Sequence, residues 1–143
     1  MDSIMIIPDI SCKIHVSAQI HPSEDPEKIK SAMLNIVPFI DVVISEGMIH
    51  GHSTDIHSLG KIHESIQSKQ TSSAYKRQLQ NNSNDNQTWI YLNKQAAFVD
   101  NIALCKEEDE SPLGPIQINI DSNDIRSLIG WMIYGNNYND IDL

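Results

Sequence analysis

The most constraining feature of the sequence is a strict alternation of apolar and polar residues near its start. From Cys12 to His21, apolar side chains stand at every second position, with polar or basic side chains between them. Because successive side chains of a strand point to opposite faces, this period of two predicts a β-strand. The sheet that contains the strand should meet a core on one face and carry polar side chains on the other.

Beyond that strand, strand-like segments come in adjacent pairs with helix-like segments between them, so the order is not a regular βαβ array. Asp25 and Pro26 are typical of a helix start, and apolar residues at helical spacing follow until Pro38 ends the pattern. The same criteria predict strands over 39–46, 48–53, 89–92, 98–104 and 115–120, and helices over 56–66, 74–79 and 125–132. This order predicts a two-layer α+β fold, in which helices cover a mixed or antiparallel sheet.

The length of the chain fits one domain, because 143 residues can bury a core without disulfide or metal support. We predict an N-terminal arm over 1–10, a single α+β domain over 11–134 and a C-terminal tail over 135–143. No apolar run approaches the ~18 residues that span a bilayer, and residues 1–10 lack the basic charge of a secretory signal. These features predict a cytoplasmic protein that binds no membrane. Cys12 and Cys105 form no C-x-x-C pair and are expected to be free thiols.

Charge is unevenly distributed along the chain. The formal net charge is −9, yet residues 61–94 contain two acidic and five basic residues, a local balance of +3. An acidic protein repels phosphate backbones, so only this middle segment is expected to attract a polyanion.

The sequence predicts no metal site and no cofactor. Of the six histidines, His15 and His21 would lie ~20 Å apart on one strand. His50 and His52 share a strand face at a distance compatible with a ligand pair, whereas the helical positions 57 and 63 are not aligned. We interpret the histidines as polar surface residues. The acidic run 107–110 lacks the spaced ligands of a calcium loop and is interpreted as a solvated turn.

Catalytic motifs are also missing from the sequence. There is no G-x-S-x-G elbow, no cysteine with an adjacent base signature and no glycine-rich phosphate loop. We therefore predict no catalytic residues, no small-molecule substrate and no enzymatic activity.

A small set of basic and amide residues is the candidate contact surface for a nucleic acid or another partner. Trp89 and Tyr91 share one strand face, where they are either stacking platforms for bases or part of the core. Around Lys94, the alternative is structural, with amide side chains that bond to the backbone at a bulge or tight connection. The predicted contact residues are Lys61, Lys69, Lys76, Arg77, Asn93, Lys94 and Gln95.

Three segments, Pro22–Lys28, Leu92–Phe98 and Ser111–Ile116, resemble an archaeal family of uncharacterised proteins. Members of that family have been labelled RNA-binding, and their fold is similar to that of the ribosomal protein that binds 5S ribosomal RNA. The resemblance, which runs from about residue 11 to about residue 133, implies a ribosomal-protein-like α+β fold, a homodimer and no enzymatic activity. The stretch 66–79 departs from the family because it is less basic, which weakens the implied role in RNA binding.

The sequence leaves the function unknown and two main interpretations open. The first is a non-enzymatic, dimeric scaffold or interaction protein that is not a strong RNA binder. The alternative is an RNA-binding accessory protein in RNA processing or translation. A third class, an enzyme of unrecognised type, is disfavoured because no paired general acid and base and no nucleophile stand out. A fold shared with an RNA binder is an analogy, since function depends on the residues of a site.

Overall fold

The computed structural model describes residues 7–68, 71–107 and 112–135. Within these ranges the chain contains six strands, five α-helices and one 3-10 turn over Ile56–Leu59. The strands are β1 (Cys12–Gln19), β2 (Asp41–Ser45), β3 (Met48–Ser53), β4 (Gln87–Asn93), β5 (Leu104–Cys105) and β6 (Pro115–Ser122). The helices are α1 (Pro26–Ile36), α2 (Gly60–Ser68), α3 (Ser72–Asn81), α4 (Lys94–Phe98) and α5 (Ile125–Tyr134).

The strands form one sheet in the order β2-β3-β1-β6-β4-β5, and every neighbouring pair is antiparallel. The α+β prediction is therefore confirmed, and the sheet is wholly antiparallel within the described residues. The alternating segment forms β1, whose apolar side chains are buried and whose polar side chains are exposed or half-buried. Its inner position between β3 and β6 explains why so many of its residues alternate strictly.

A single hydrophobic core lies between the helices and one face of the sheet. Val16 of β1 and Ile118 of β6 are completely buried there, opposite apolar stripes of α1, α2, α3 and α5. Helix α5 contributes Trp131, which is also fully buried. Since these residues form one continuous cluster, the helices cover the same face of the sheet.

The predicted strand over 98–104 is wrong. Helix α4 extends to Phe98 instead, because the Asn93 side-chain oxygen accepts a hydrogen bond from the Ala96 amide at 2.8 Å and caps the helix, and residues 99–103 form no strand. Asp100 adopts a left-handed conformation with φ 56°, which turns the chain away from the helix. Only Leu104 and Cys105 remain to pair with β4. The polar side chain at Asn93 does bond to the backbone, but as a helix cap instead of at a bulge.

Lys94 is the most unusual residue of the interior, because its side chain is completely buried. The ammonium donates to the carbonyl oxygens of Gln19 at 2.9 Å and Leu113 at 2.7 Å, and to a Glu24 carboxylate oxygen at 3.1 Å. These contacts use the three N–H donors of the ammonium. They join the end of β1, the turn before α1 and the loop before β6, so Lys94 fixes the chain around one end of the sheet.

We expect Lys94→Met to destabilise the protein by about 3–5 kcal/mol, because it leaves the Glu24 carboxylate buried without its cation. Urea unfolding followed by circular dichroism measures this loss. The matched control is Lys61→Met, which removes an exposed ion pair with Asp100 and should cost at most about 1 kcal/mol. The double variant Lys94→Met/Glu24→Gln should recover part of the loss. Equal stability of the Lys94 and Lys61 variants would contradict this role.

Candidate nucleic-acid interface

The second face of the sheet, which we call the open face, carries no described helix. Its side chains stand in rows across the strands, because residues paired in antiparallel register point to the same side. One row runs through Asp41, His52, His15, Asn119 and Trp89. The next row runs through Val43, His50, Ser17, Gln117 and Tyr91. Most of these side chains are half-buried or exposed.

Three histidines of β1 and β3 form a contact group on this face, the histidine cluster His15, His50 and His52. The His15 Nε2 and His50 Nδ1 atoms lie 3.1 Å apart, so one imidazole donates a hydrogen bond to the other. The His15 ring also stacks on both neighbours, with ring centroids 5.2 Å from His50 and 4.7 Å from His52. Desolvation lowers the pKa of His15, and the nearby His52 and His50 lower it further.

Trp89 and Tyr91 of β4 form an aromatic pair on the same face. Their ring centroids are 4.9 Å apart, with the ring planes inclined by 57°. Both side chains are half-buried, so parts of their rings remain accessible to solvent. The sequence left open whether these residues belong to the core, and the structure places them outside it. Exposed aromatic rings on a sheet surface are platforms for stacking unpaired bases.

Two amide side chains of β6 lie between the histidine cluster and the aromatic pair. The Gln117 amide nitrogen donates to the Asn119 side-chain oxygen at 3.0 Å. With this assignment of the amides, Asn119 retains its N–H donors and Gln117 retains its carbonyl acceptor for a ligand. A base lying on the aromatic pair would therefore find a donor and an acceptor beside it.

Two grooves open along this face. One has a volume of about 650 Å³ and is lined by Trp89, Lys13 and His52, among others. The other, of about 610 Å³, is lined by Tyr91, Gln117 and Met48, among others. Trp89 thus lines the first groove and Tyr91 lines the second. The two residues stand on the same side of β4, where successive residues are about 6.8 Å apart.

The open face carries few fixed charges. Lys13 is its described base, and Asp41 and Asp121 are its described acids. With neutral histidines these three groups sum to −1, whereas the whole chain carries −9. Most of the acids that the structure describes therefore lie outside the open-face positions of the strands, and binding there would depend more on stacking and hydrogen bonds than on charge.

The structure does not bring the contact residues predicted from the sequence together at one surface. Lys61 is paired with Asp100 at 2.9 Å, and Lys76 bonds the hydroxyl of Tyr134 and lies over its ring. Arg77 is exposed on α3. These residues belong to the helical layer, on the other side of the sheet from the open face.

The remaining predicted residues have separate environments. Asn93 caps α4, Lys94 is buried in the contacts described above, and Gln95 is exposed in the first turn of α4. Lys69 lies outside the described residues. The predicted contact set as a whole stays a prediction, although an ammonium as deeply buried as that of Lys94 is not accessible to a ligand.

Among the residues that the structure describes, no group of three or more histidine, cysteine or acidic side chains has metal-binding geometry. Both cysteines are free and buried, and burial followed by the charge of Asp55 raises the pKa of Cys12. A protonated, buried thiol is a poor nucleophile. Of the acidic run, Glu107 is exposed and 108–110 lie outside the described ranges.

Sequence reasoning missed the histidine cluster because it considered pairs along one strand. His15 meets His50 and His52 across β1 and β3, through the register Ser17↔His50 and His15↔His52. The Glu46–Gly47 turn, where both residues have positive φ, folds β2 back into β3 but gives no information on the strand that lies on the other side of β3. The pairing of β3 with β1, which is distant from it in sequence, is determined by tertiary packing, and no local sequence pattern specifies it.

Comparisons with known proteins agree on one family. A family model described as RNA binding matches residues 13–122. A UPF0201 protein of Methanothermobacter thermautotrophicus is 34% identical over 120 residues, which are 84% of this chain and 89% of that relative. A UPF0201 protein of Metallosphaera sedula is 31% identical over 123 residues, which are 84% of this chain and 86% of that relative. These names assign no enzymatic activity.

Solved structures show the same similarity. The crystal structure of a UPF0201 protein from Methanococcus jannaschii aligns with a TM-score of 0.73 and 28% identity, over 85% of this chain and 98% of that one. A crystal structure of another uncharacterized UPF0201 protein aligns with a TM-score of 0.73 and 27% identity, over 85% of this chain and 92% of that one. In the described part of this chain, no helix has the length and hydropathy needed to cross a bilayer.

The His15 pKa is a direct test of the cluster geometry. We expect His15 to titrate below the ordinary value of about 6.5. His52→Gln should raise its pKa, because it removes one of the positive charges that oppose protonation of His15. Nuclear magnetic resonance titration of the imidazole C–H signals measures both values. His57→Gln is the control, since that residue pairs with Asp55 away from the cluster, and it should leave the His15 pKa unchanged.

Proposed function

We propose that this chain, which belongs to the archaeal UPF0201 family and to the RNA-binding family that its sequence matches, binds single-stranded RNA on the open face of its sheet. Family membership confirms the resemblance that three sequence segments indicated. The observation that carries the proposal is the half-buried Trp89–Tyr91 pair beside the Gln117–Asn119 amides. Stacking platforms next to hydrogen-bonding groups are the usual means of holding unpaired bases.

The shape of the open face favours a single strand over a duplex. Its two grooves run along the half-buried aromatic rings, and splayed bases can enter such grooves. A double helix is recognised mainly through its phosphates and hydroxyls, which requires a basic surface. The described fixed charges of the open face sum to about zero or slightly negative at neutral pH, so a duplex would gain little there.

We assign the protein a non-catalytic role. In the described residues, the open face lacks a metal-binding group and a paired general acid and base, and the names of the relatives include no enzymatic activity. An RNA-binding accessory protein in RNA processing or translation fits these properties. Such a role would place it in the cytoplasm.

We expect the double variant Trp89→Ala/Tyr91→Ala to weaken binding of single-stranded RNA by at least tenfold, since stacking contributes about 1–3 kcal/mol per base. Fluorescence anisotropy with a labelled single-stranded RNA of mixed sequence, at low salt, measures the affinity. Phe98→Ala is the control, because that exposed aromatic residue lies on α4. Undetectable binding by the unmodified protein, or equal affinities of all three proteins, would refute the proposal.

A second proposal, self-association, rests on the edge strand β2. This strand pairs with β3 alone among the described strands, so its outer backbone groups face away from the sheet. Its side chains include Val43, 57% exposed, and Ile44, 45% exposed. The strand has no lysine, proline or described bulge of the kind that protects sheet edges from pairing. An edge of this kind pairs readily with another strand.

The sequence of β2 is suited to pairing with a second copy of itself. In an antiparallel arrangement centred on Val43, Val42 faces Ile44 of the second copy and Asp41 faces its Ser45. No like charges oppose each other in this register, and a two-fold axis generates a closed dimer. The two open faces would then join into one longer surface for an RNA strand.

Val43→Lys should convert a dimer into a monomer, because it places two ammonium groups opposite each other at the centre of the paired edges. Light scattering coupled to size-exclusion chromatography gives the molar mass. Val99→Lys is the matched control, since Val99 is 76% exposed but lies next to α4. A monomeric unmodified protein, or a dimer that persists in the Val43 variant, would rule out this interface.

A further inference from the structure

The histidine cluster is a conspicuous group on the open face that stacking of bases does not use. Its three imidazoles are in mutual contact on the solvent side of β1 and β3, and two of them share a hydrogen bond. In the row of paired residues, His15 and Trp89 stand two strands apart with Asn119 between them. At about 4.8 Å per strand, this separation is about 10 Å, which the span between a stacked base and a neighbouring phosphate can bridge.

We propose that the histidine cluster, together with Lys13, binds a phosphodiester group of the RNA and takes up protons as it does so. This inference rests on the proposed function, because it identifies which part of the RNA each half of the open face holds. The aromatic pair holds bases, and the histidine cluster holds the backbone beside them. RNA binding is consequently coupled to pH.

The coupling between protonation of the cluster and phosphate binding follows from the hydrogen bond between His15 and His50. In the neutral cluster, one imidazole N–H donates to the bare nitrogen of the other across 3.1 Å. When the acceptor nitrogen is protonated, two N–H groups face each other and the bond is lost. An anionic oxygen placed beside the two rings accepts hydrogen bonds from both, which restores the lost interaction. Protonation and phosphate binding therefore favour each other.

The charges around the histidine cluster determine how strongly RNA binding depends on pH. Asp41 pairs in register with His52 from β2, and Lys13 and Asp121 face each other across β1 and β6. The other cross-strand neighbours of the cluster, including Val43, Ser17 and Asn119, carry no charge. With neutral imidazoles the described charges on the face sum to −1, and each proton that the cluster takes up makes this sum one unit more positive. Proton uptake therefore makes the open face more favourable for an anion.

The direction of the pH dependence is fixed by linkage. Desolvation and the two neighbouring histidines lower the pKa of His15 in the free protein, so its charged form is scarce near neutral pH. A bound phosphodiester stabilises the charged form and raises the pKa. RNA affinity should therefore increase as the pH falls through the ordinary histidine range near 6.5.

The test compares RNA affinity at two pH values. For the unmodified protein, we expect a gain of about tenfold between pH ~7.5 and ~5.5, measured by anisotropy with the same single-stranded RNA. The triple variant His15→Gln/His50→Gln/His52→Gln should bind as the unmodified protein does at the higher pH and show no gain at the lower pH. His57→Gln, which alters an exposed histidine outside the cluster, should keep the full gain. Circular dichroism at both pH values confirms that each variant is folded.

A second measurement tests the same coupling without relying on variants. Titration of the imidazole signals by nuclear magnetic resonance should show a higher His15 pKa when the RNA is present. RNA binding that is equally strong at both pH values would overturn the inference and leave the proposed function standing. A full pH effect in the triple variant would also overturn it. No RNA binding by the unmodified protein at either pH would overturn the proposed function, and this inference with it.

Discussion

The buried Lys94 ammonium is the interaction on which the ends of the sheet depend. Through three acceptors it joins the last residue of β1, the turn that precedes α1 and the loop that precedes β6. A buried ion pair adds little net stability over an apolar contact, but its hydrogen bonds allow few alternative arrangements. Lys94 thus fixes where the chain leaves β1 and where it enters β6, the two central strands whose open-face residues form part of the candidate RNA surface.

The open face is polar because the described helices cover the other face of the sheet. The helices bury the apolar residues of β1, β6 and β4, so the alternate residues of these strands necessarily share the other face. Antiparallel register then places histidines, amides and aromatic rings side by side, although they are up to about a hundred positions apart in sequence. In this fold the candidate site is therefore a consequence of strand pairing, and it requires no specialised loop.

The parts of this structure that the sequence predicts are those governed by local rules. The strand period of β1, the Asp25 cap of α1 and the Met48–Ser53 strand are local patterns, and the structure contains all three. The strand predicted over 98–104 was wrong because the helix capped by Asn93 extends to Phe98 and Asp100 then turns the chain in a left-handed conformation. The histidine cluster could not be predicted, because the order of strands in the sheet is set by tertiary packing.

The proposed binding of RNA by an acidic chain is consistent with the distribution of the charges that the structure describes. Residues 95–143 contain nine acids and two bases, and they account for −7 of the total of −9. Of those acids only Asp121 lies in the described rows of the open face, where it faces Lys13. Distant acids act through solvent and are screened beyond about 10 Å at ordinary salt. Affinity for the proposed RNA should therefore depend on stacking and on proton uptake by the histidine cluster more than on the described acids that lie off the open face.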